Sequence, residues 1–114
     1  FIMKDKNGIN SLSIDLQKKL SAFDQAPKSS KVGSFLTWTE FSTIFINTTL
    51  IFPLAYETTN FELMNCGNKF ILTIDYNTAE NDLIFNYTSA QNLLDNALIN
   101  NKPLKDIWKD IIIN

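Results

Sequence analysis

Histidine and arginine are both missing from this sequence of 114 residues, and cysteine occurs once, at Cys66. Serine and cysteine hydrolases of the usual kind need an imidazole to take the nucleophile's proton, and the chain has none. The lysine-assisted alternative uses Ser-x-x-Lys, a spacing found nowhere in the sequence. One thiol without histidine leaves only carboxylates as strong zinc ligands, so no metal site is expected. The three glycines, Gly8, Gly33 and Gly67, are isolated and form no phosphate-cradling loop. Without arginine there are no guanidinium forks for phosphate or for base edges, and no direct contact with nucleic acid is expected. All ten cationic residues are lysine; the abundance of Asn, Ile, Lys and Phe fits an AT-rich coding sequence in which arginine codons are scarce.

A single cysteine cannot form an internal disulfide, which makes a reducing cytoplasm the expected location. No apolar signal-peptide core follows Lys4 and Lys6. The longest apolar run, Leu50 to Tyr56, has seven residues and contains Pro53, against the roughly twenty needed to cross a bilayer. The sequons Asn47-Thr48-Thr49 and Asn86-Tyr87-Thr88 matter only in a secretory pathway, for which nothing else argues. Phe1 and Ile2 precede the first methionine, Met3, which fits either a start at Met3 or a longer upstream chain.

What is present describes one folded domain over residues 1–114. Hydrophobic residues at 45% and charged residues at 19% lie near globular averages, so most of the chain is expected to order, with 1–8 as a flexible N-terminal segment. Leu12, Leu16, Leu20 and Phe23 recur on one helical face opposite Asp15, Lys18 and Lys19, predicting a helix over 11–24 capped by Asn10 or Ser11. Residues 24–33 read as a loop. Between 34 and 56, Thr, Ile and Phe favour strands, while Thr37-Trp-Thr-Glu40 before Phe41 fits a capping box. A helix from Trp38 to Ile46 is preferred over a strand; Leu50 to Tyr56 then follows as an extended segment interrupted at Pro53, which suits an edge or a strand end.

The middle of the chain is plainer. Phe61 and Leu63 alternate with Glu62 and Met64 before a turn at Cys66-Gly67-Asn68; Phe70, Leu72 and Ile74 alternate on the return. The polar stretch Asn77 to Asn81 then leads to Leu83, Phe85 and Tyr87, completing a three-stranded antiparallel meander. After Thr88 as N-cap, Leu93, Leu94 and Ala97 predict a short helix stopping at Asn100-Asn101. Pro103 suits the first turn of a final helix in which Leu104, Ile107, Trp108 and Ile111 share a face. The fold class is therefore α+β: a three-stranded or larger antiparallel meander packed with an N-terminal helix and a C-terminal helix pair.

Possible reactive groups are sparse. Lys69 lies three residues after Cys66, and an adjacent ammonium lowers a thiol's pKa, but a hairpin residue beside a surface lysine is the simpler reading. Asp75 to Asp82 resembles the opening of a calcium loop, yet Ala79 replaces a ligand and Glu80 stands where glycine is required. The acid pair Glu80 and Asp82 has equally little to set it apart from turn residues. No catalytic residue, cofactor or metal is assigned, and the chain reads as a non-enzyme.

Charge is unevenly distributed. Residues 1–31 carry a net of plus three, 32–101 minus six and 102–114 plus one, so a formal charge of minus two conceals an acidic middle between basic ends. An acidic antiparallel face steers a basic partner. The sequence thus points to a small cytoplasmic binding protein, such as an inhibitor or a toxin-immunity protein, with Glu57, Glu62, Asp75, Glu80 and Asp82 as partner-binding candidates. The competing reading is a subunit or interaction module of a larger assembly. Its cue is Ile111-Ile112-Ile113, which cannot all lie on one helical face, so that one is exposed or the tail leaves the helix.

Overall fold

The computed structural model describes residues 2–3, 8–75 and 83–114. It is an α+β fold built on an antiparallel sheet, with helices before and after it. Strands β1 (Ile2–Met3), β2 (Leu50–Tyr56), β3 (Thr59–Asn65), β4 (Phe70–Asp75) and β5 (Leu83–Tyr87) lie in that order, and the C-terminal β8 (Ile112–Ile113) also pairs with β2. The predicted meander is thus β3, β4 and β5, extended by β2 through the turn at Glu57-Thr58. Ile2–Met3, expected to be part of a flexible segment, instead pairs with Leu50 and Ile51.

Helix α1 spans Ile14–Asp24 rather than 11–24. Ser13, not Asn10 or Ser11, caps it by accepting from the Leu16 amide, because Gly8–Ser11 already forms a separate 3-10 turn. Helix α2, Trp38–Asn47, bears out the helical reading of this region. Its capping box is complete: Glu40 donates its amide to Thr37 Oγ1 at 3.1 Å, and the Thr37 amide donates to Glu40 Oε1 at 2.9 Å. The apolar period of α2 buries Phe41, Ile44 and Phe45, the face a strand would have divided between two sides.

Strand β2 runs through Pro53 without interruption and is not an edge strand, a correction to both sequence expectations. The Asn114 amide donates to the Pro53 carbonyl on the β8 side. In a strand a residue's N–H and C=O point the same way. The donor that proline lacks therefore faces the interval between β1, which pairs with Leu50 and Ile51, and β8, which pairs with Leu54 and Ala55. No ladder bond to β3 is lost.

The C-terminal helices are shorter than predicted. Helix α3, Ala90–Asn96, is capped by Ser89 rather than Thr88 and ends before Asn100. Leu98–Ile99 (β6) and Lys102–Pro103 (β7) form a two-residue ladder closed by Asn100-Asn101, both with positive φ (53° and 65°). That is the signature of a type I′ hairpin turn. Helix α4, Leu104–Ile107, is one turn followed by a 3-10 turn at Trp108–Asp110. Ile111 then leaves the helix, and the tail packs as the extended segment that was one of its two expected outcomes. It is sandwiched between β2 and the loop 29–32, with Ser29 donating to the Ile113 carbonyl at 2.7 Å and Val32 to that of Ile111 at 3.0 Å.

The helices cover the face of the sheet that carries Phe52, Leu54, Phe61, Leu63 and Leu72, all fully buried. Phe41 lies 4.9 Å from Phe52 and 4.6 Å from Trp108 between ring centroids, and Phe23 lies 5.5 Å from Phe52, so aromatic packing joins α1, α2 and the C-terminal turn over β2.

Candidate functional site

The cover over the inner face stops short of β5. Register places Leu83, Phe85 and Tyr87 directly across from Ile74, Leu72 and Phe70, on the core face. Yet Leu83 and Phe85 keep 44% and 41% of their surface exposed, and Leu98 on the facing β6 keeps 48%. Between them lies a hollow of about 600 Å³ with a floor of Leu72 and Ile74, apolar walls of Leu83, Phe85 and Leu98, and a rim of asparagines at 96, 100 and 101.

The rim is held from below. Thr59 Oγ1 donates to Asn100 Oδ1 at 3.2 Å, and Lys102 Nζ donates to the Tyr56 hydroxyl at 3.1 Å, fastening the β6–β7 hairpin to the turn end of β2 and β3. The bond to Tyr56 raises the Lys102 pKa, so its charge persists through the neutral range. At the other end of the groove, partial burial pushes the Tyr87 phenol up, keeping it protonated and uncharged. From Leu83 to Leu94 the chain carries no charged residue at all.

Hydrogen bonding adds direction to this edge. The Cys66 amide donates to the Lys69 carbonyl at 2.9 Å, which marks the pairs of β3 and β4 that share ladder bonds. Following the register outward, Leu83, Phe85 and Tyr87 turn their backbone groups toward β4. Ile84 and Asn86 therefore turn theirs away from the sheet, where no further strand pairs among the described residues. Proteins usually guard such an edge with lysine, proline or a bulge. β5 has none of these, while the opposite side of the sheet is closed by β1, β8 and Pro53.

The five sequence-proposed carboxylates are placed only in part. Glu80 and Asp82, with the remainder of the calcium-like stretch and the polar loop 77–81, lie outside the described residues. Glu57 is exposed in the β2–β3 turn in a left-handed conformation, φ 55°. Glu62 and Asp75 come together on the outer sheet face, lining a hollow of about 200 Å³ with Pro53, Asn60, Thr73 and Asn114. Around it the outer face is mainly apolar: Ile51, Met64 and Ile71 form a row across three strands, and Ile84 is 63% exposed. Among the described residues no three Cys, Asp or Glu side chains gather as metal ligands, and no helix is long and apolar enough to cross a membrane.

Sequence reasoning missed the β5 groove because alternation of Leu83, Phe85 and Tyr87 is the same for a covered strand and an uncovered one. The run 83–94 carries no charge, but neither does the longer run 41–56, which is largely covered, so no local signal separates the two. No family model, no curated protein and no solved structure matches the chain.

Proposed function

We infer that this chain is a non-catalytic protein-interaction module that accepts an extended segment as an added strand on β5. One observation carries this: an unguarded strand edge, with the backbone groups of Ile84 and Asn86 turned outward, borders an apolar groove on its core face. Strand addition takes affinity from such backbone groups and selectivity from the pockets that receive alternate side chains. The groove supplies Leu83, Phe85 and Leu98 for that purpose, and its neutral lining favours an uncharged, apolar segment.

A comparison of wild type with Ile84→Pro and Phe85→Lys tests the reading, using partner recovery from the native host. Proline at 84 removes an outward donor and leaves the β4 ladder intact. Loss of the partner with both variants is the expected result; equal recovery by all three chains overturns the reading.

The acidic inhibitor or immunity role is the second reading, and the placing of Glu62 and Asp75 around one hollow favours it. It predicts recovery that falls with added salt and with Glu62→Lys, and that ignores Ile84→Pro.

A further inference from the structure

We propose that the segment added to β5 is β5 of a second copy, making a two-fold symmetric dimer with one continuous sheet. This rests on the strand-addition reading above and goes beyond it by naming the occupant.

Charge is the first reason. A partner recognised by charge has nothing to recognise on Leu83–Tyr87, which contains neither acid nor base. A second copy brings an equally neutral strand, so no like charges meet at the junction. Among the described residues, the charges flanking it are complementary under antiparallel pairing: Asp75 ends β4 at the Leu83 end, whereas Lys69 precedes β4 at the Tyr87 end. Reversing one copy aligns Asp75 of each with Lys69 of the other across the two β5 strands, about 14 Å apart, a weak attraction that salt screens. A parallel arrangement would set like with like.

Backbone geometry is the second reason, and it selects one register. Only Ile84 and Asn86 of β5 direct N–H and C=O outward, so a symmetric pairing that uses both matches Ile84 with Asn86 of the other copy. Each such match exchanges two hydrogen bonds, and symmetry doubles them. Phe85 then falls on the two-fold axis opposite its own copy as a non-hydrogen-bonded pair, with Cα atoms about 4.5 Å apart. Both rings lie on the core face, so the two grooves run together through a cross-strand aromatic pair.

The register makes the test specific. In a Cys66→Ser background, Phe85→Cys places two thiols at a separation that a disulfide spans. Ile84→Cys faces Asn86 instead and has no thiol opposite. The expected result is a dimer of the wild-type chain by sedimentation, a covalent dimer of the Phe85→Cys form under mild oxidation, and none for Ile84→Cys. Ile84→Pro, which removes two of the four junction bonds, should weaken dimerisation about 30-fold with an unchanged circular dichroism spectrum. A wild-type monomer at about millimolar concentration overturns the second copy as occupant; a different partner still lost with Ile84→Pro would then leave strand addition standing. A dimer indifferent to Ile84→Pro, or one cross-linked better through position 84 than 85, overturns both the edge and the register.

Discussion

The indole of Trp108 donates from Nε1 to the carbonyl oxygen of Leu36 at 2.9 Å, a buried bond between residues 72 positions apart. It ties the C-terminal 3-10 turn to the residue just ahead of the α2 capping box, and the same ring packs 5.4 Å from Trp38. Leu36 is itself fully buried, so no water replaces the donor if it is removed.

Trp108→Phe should therefore cost more than its loss of volume suggests, because it leaves a buried carbonyl unpaired. The expected destabilisation is about 1–3 kcal/mol, read as a lower urea midpoint with an unchanged slope. A variant as stable as wild type would show that the bond contributes little.

Glu40 provides a pH signature. The ammonium of Lys19 bonds its carboxylate and, with the Thr37 amide, holds its pKa below the ordinary glutamate range. A carboxyl whose folded pKa is depressed contributes stability that is complete above the unfolded pKa and disappears as the pH falls through the folded one. Lys19 is partly exposed, so screening keeps the contribution small. Glu40→Gln, which retains the cap, should cost roughly 0.5–1 kcal/mol at neutral pH and progressively less as the pH falls below the ordinary glutamate range, measured by urea midpoints of both chains. A deficit that stays constant across this range would assign the effect to packing instead.

The three terminal isoleucines should respond in the order Ile111, Ile113, Ile112. The first two are buried, Ile113 forming a strand against Leu54, while Ile112 is only partly buried. Alanine at 111 or 113 should cost about 2–5 kcal/mol, with a distinctly smaller loss at 112. Removing residues 112–114 also deletes the Asn114 bond to Pro53 and exposes the edge of β2, so the truncated chain should be less stable and more prone to aggregate. Thermal melts with light scattering would show it.

Asn100 and Asn101 should differ despite their similar backbones. Both have positive φ, but only Asn100 accepts the Thr59 hydroxyl. Asn101→Gly yields the preferred Asn-Gly turn and should leave stability equal or slightly raised. Asn101→Val should cost about 1–2 kcal/mol, and Asn100→Gly should lose the anchoring bond. Differential scanning calorimetry of the three variants would separate conformational strain from that contact.

Much of the architecture was legible because its causes are local. The Thr37 and Glu40 box lies within four residues, and the period that buries Phe41, Ile44 and Phe45 lies within one helix. Alternation at Phe61, Leu63, Leu72 and Ile74 likewise reports a strand before its neighbour is known. The misread ends have equally physical causes. Ser13 supplanted Ser11 as a cap because a 3-10 turn had already used Gly8–Ser11. Ile111 left the helical period because its carbonyl was drawn to Val32. Of the candidate site, the sequence offered carboxylates, since charge is read residue by residue; which of them share a surface is a matter of strand register, and it sets Glu62 and Asp75 around one hollow on the outer face.

By itself, then, the amino-acid sequence determined the fold class, the hairpin at Gly67, the capping box at Thr37 and Glu40 and the want of imidazole and guanidinium chemistry, because composition and periodicity act over a few residues. Only the tertiary structure decided that Pro53 could sit inside the sheet, that the tail would close one edge, and that Leu83, Ile84 and Phe85 would be left at the other. Those outcomes depend on which distant strand satisfies a backbone group and which helix ends too soon to cover a side chain.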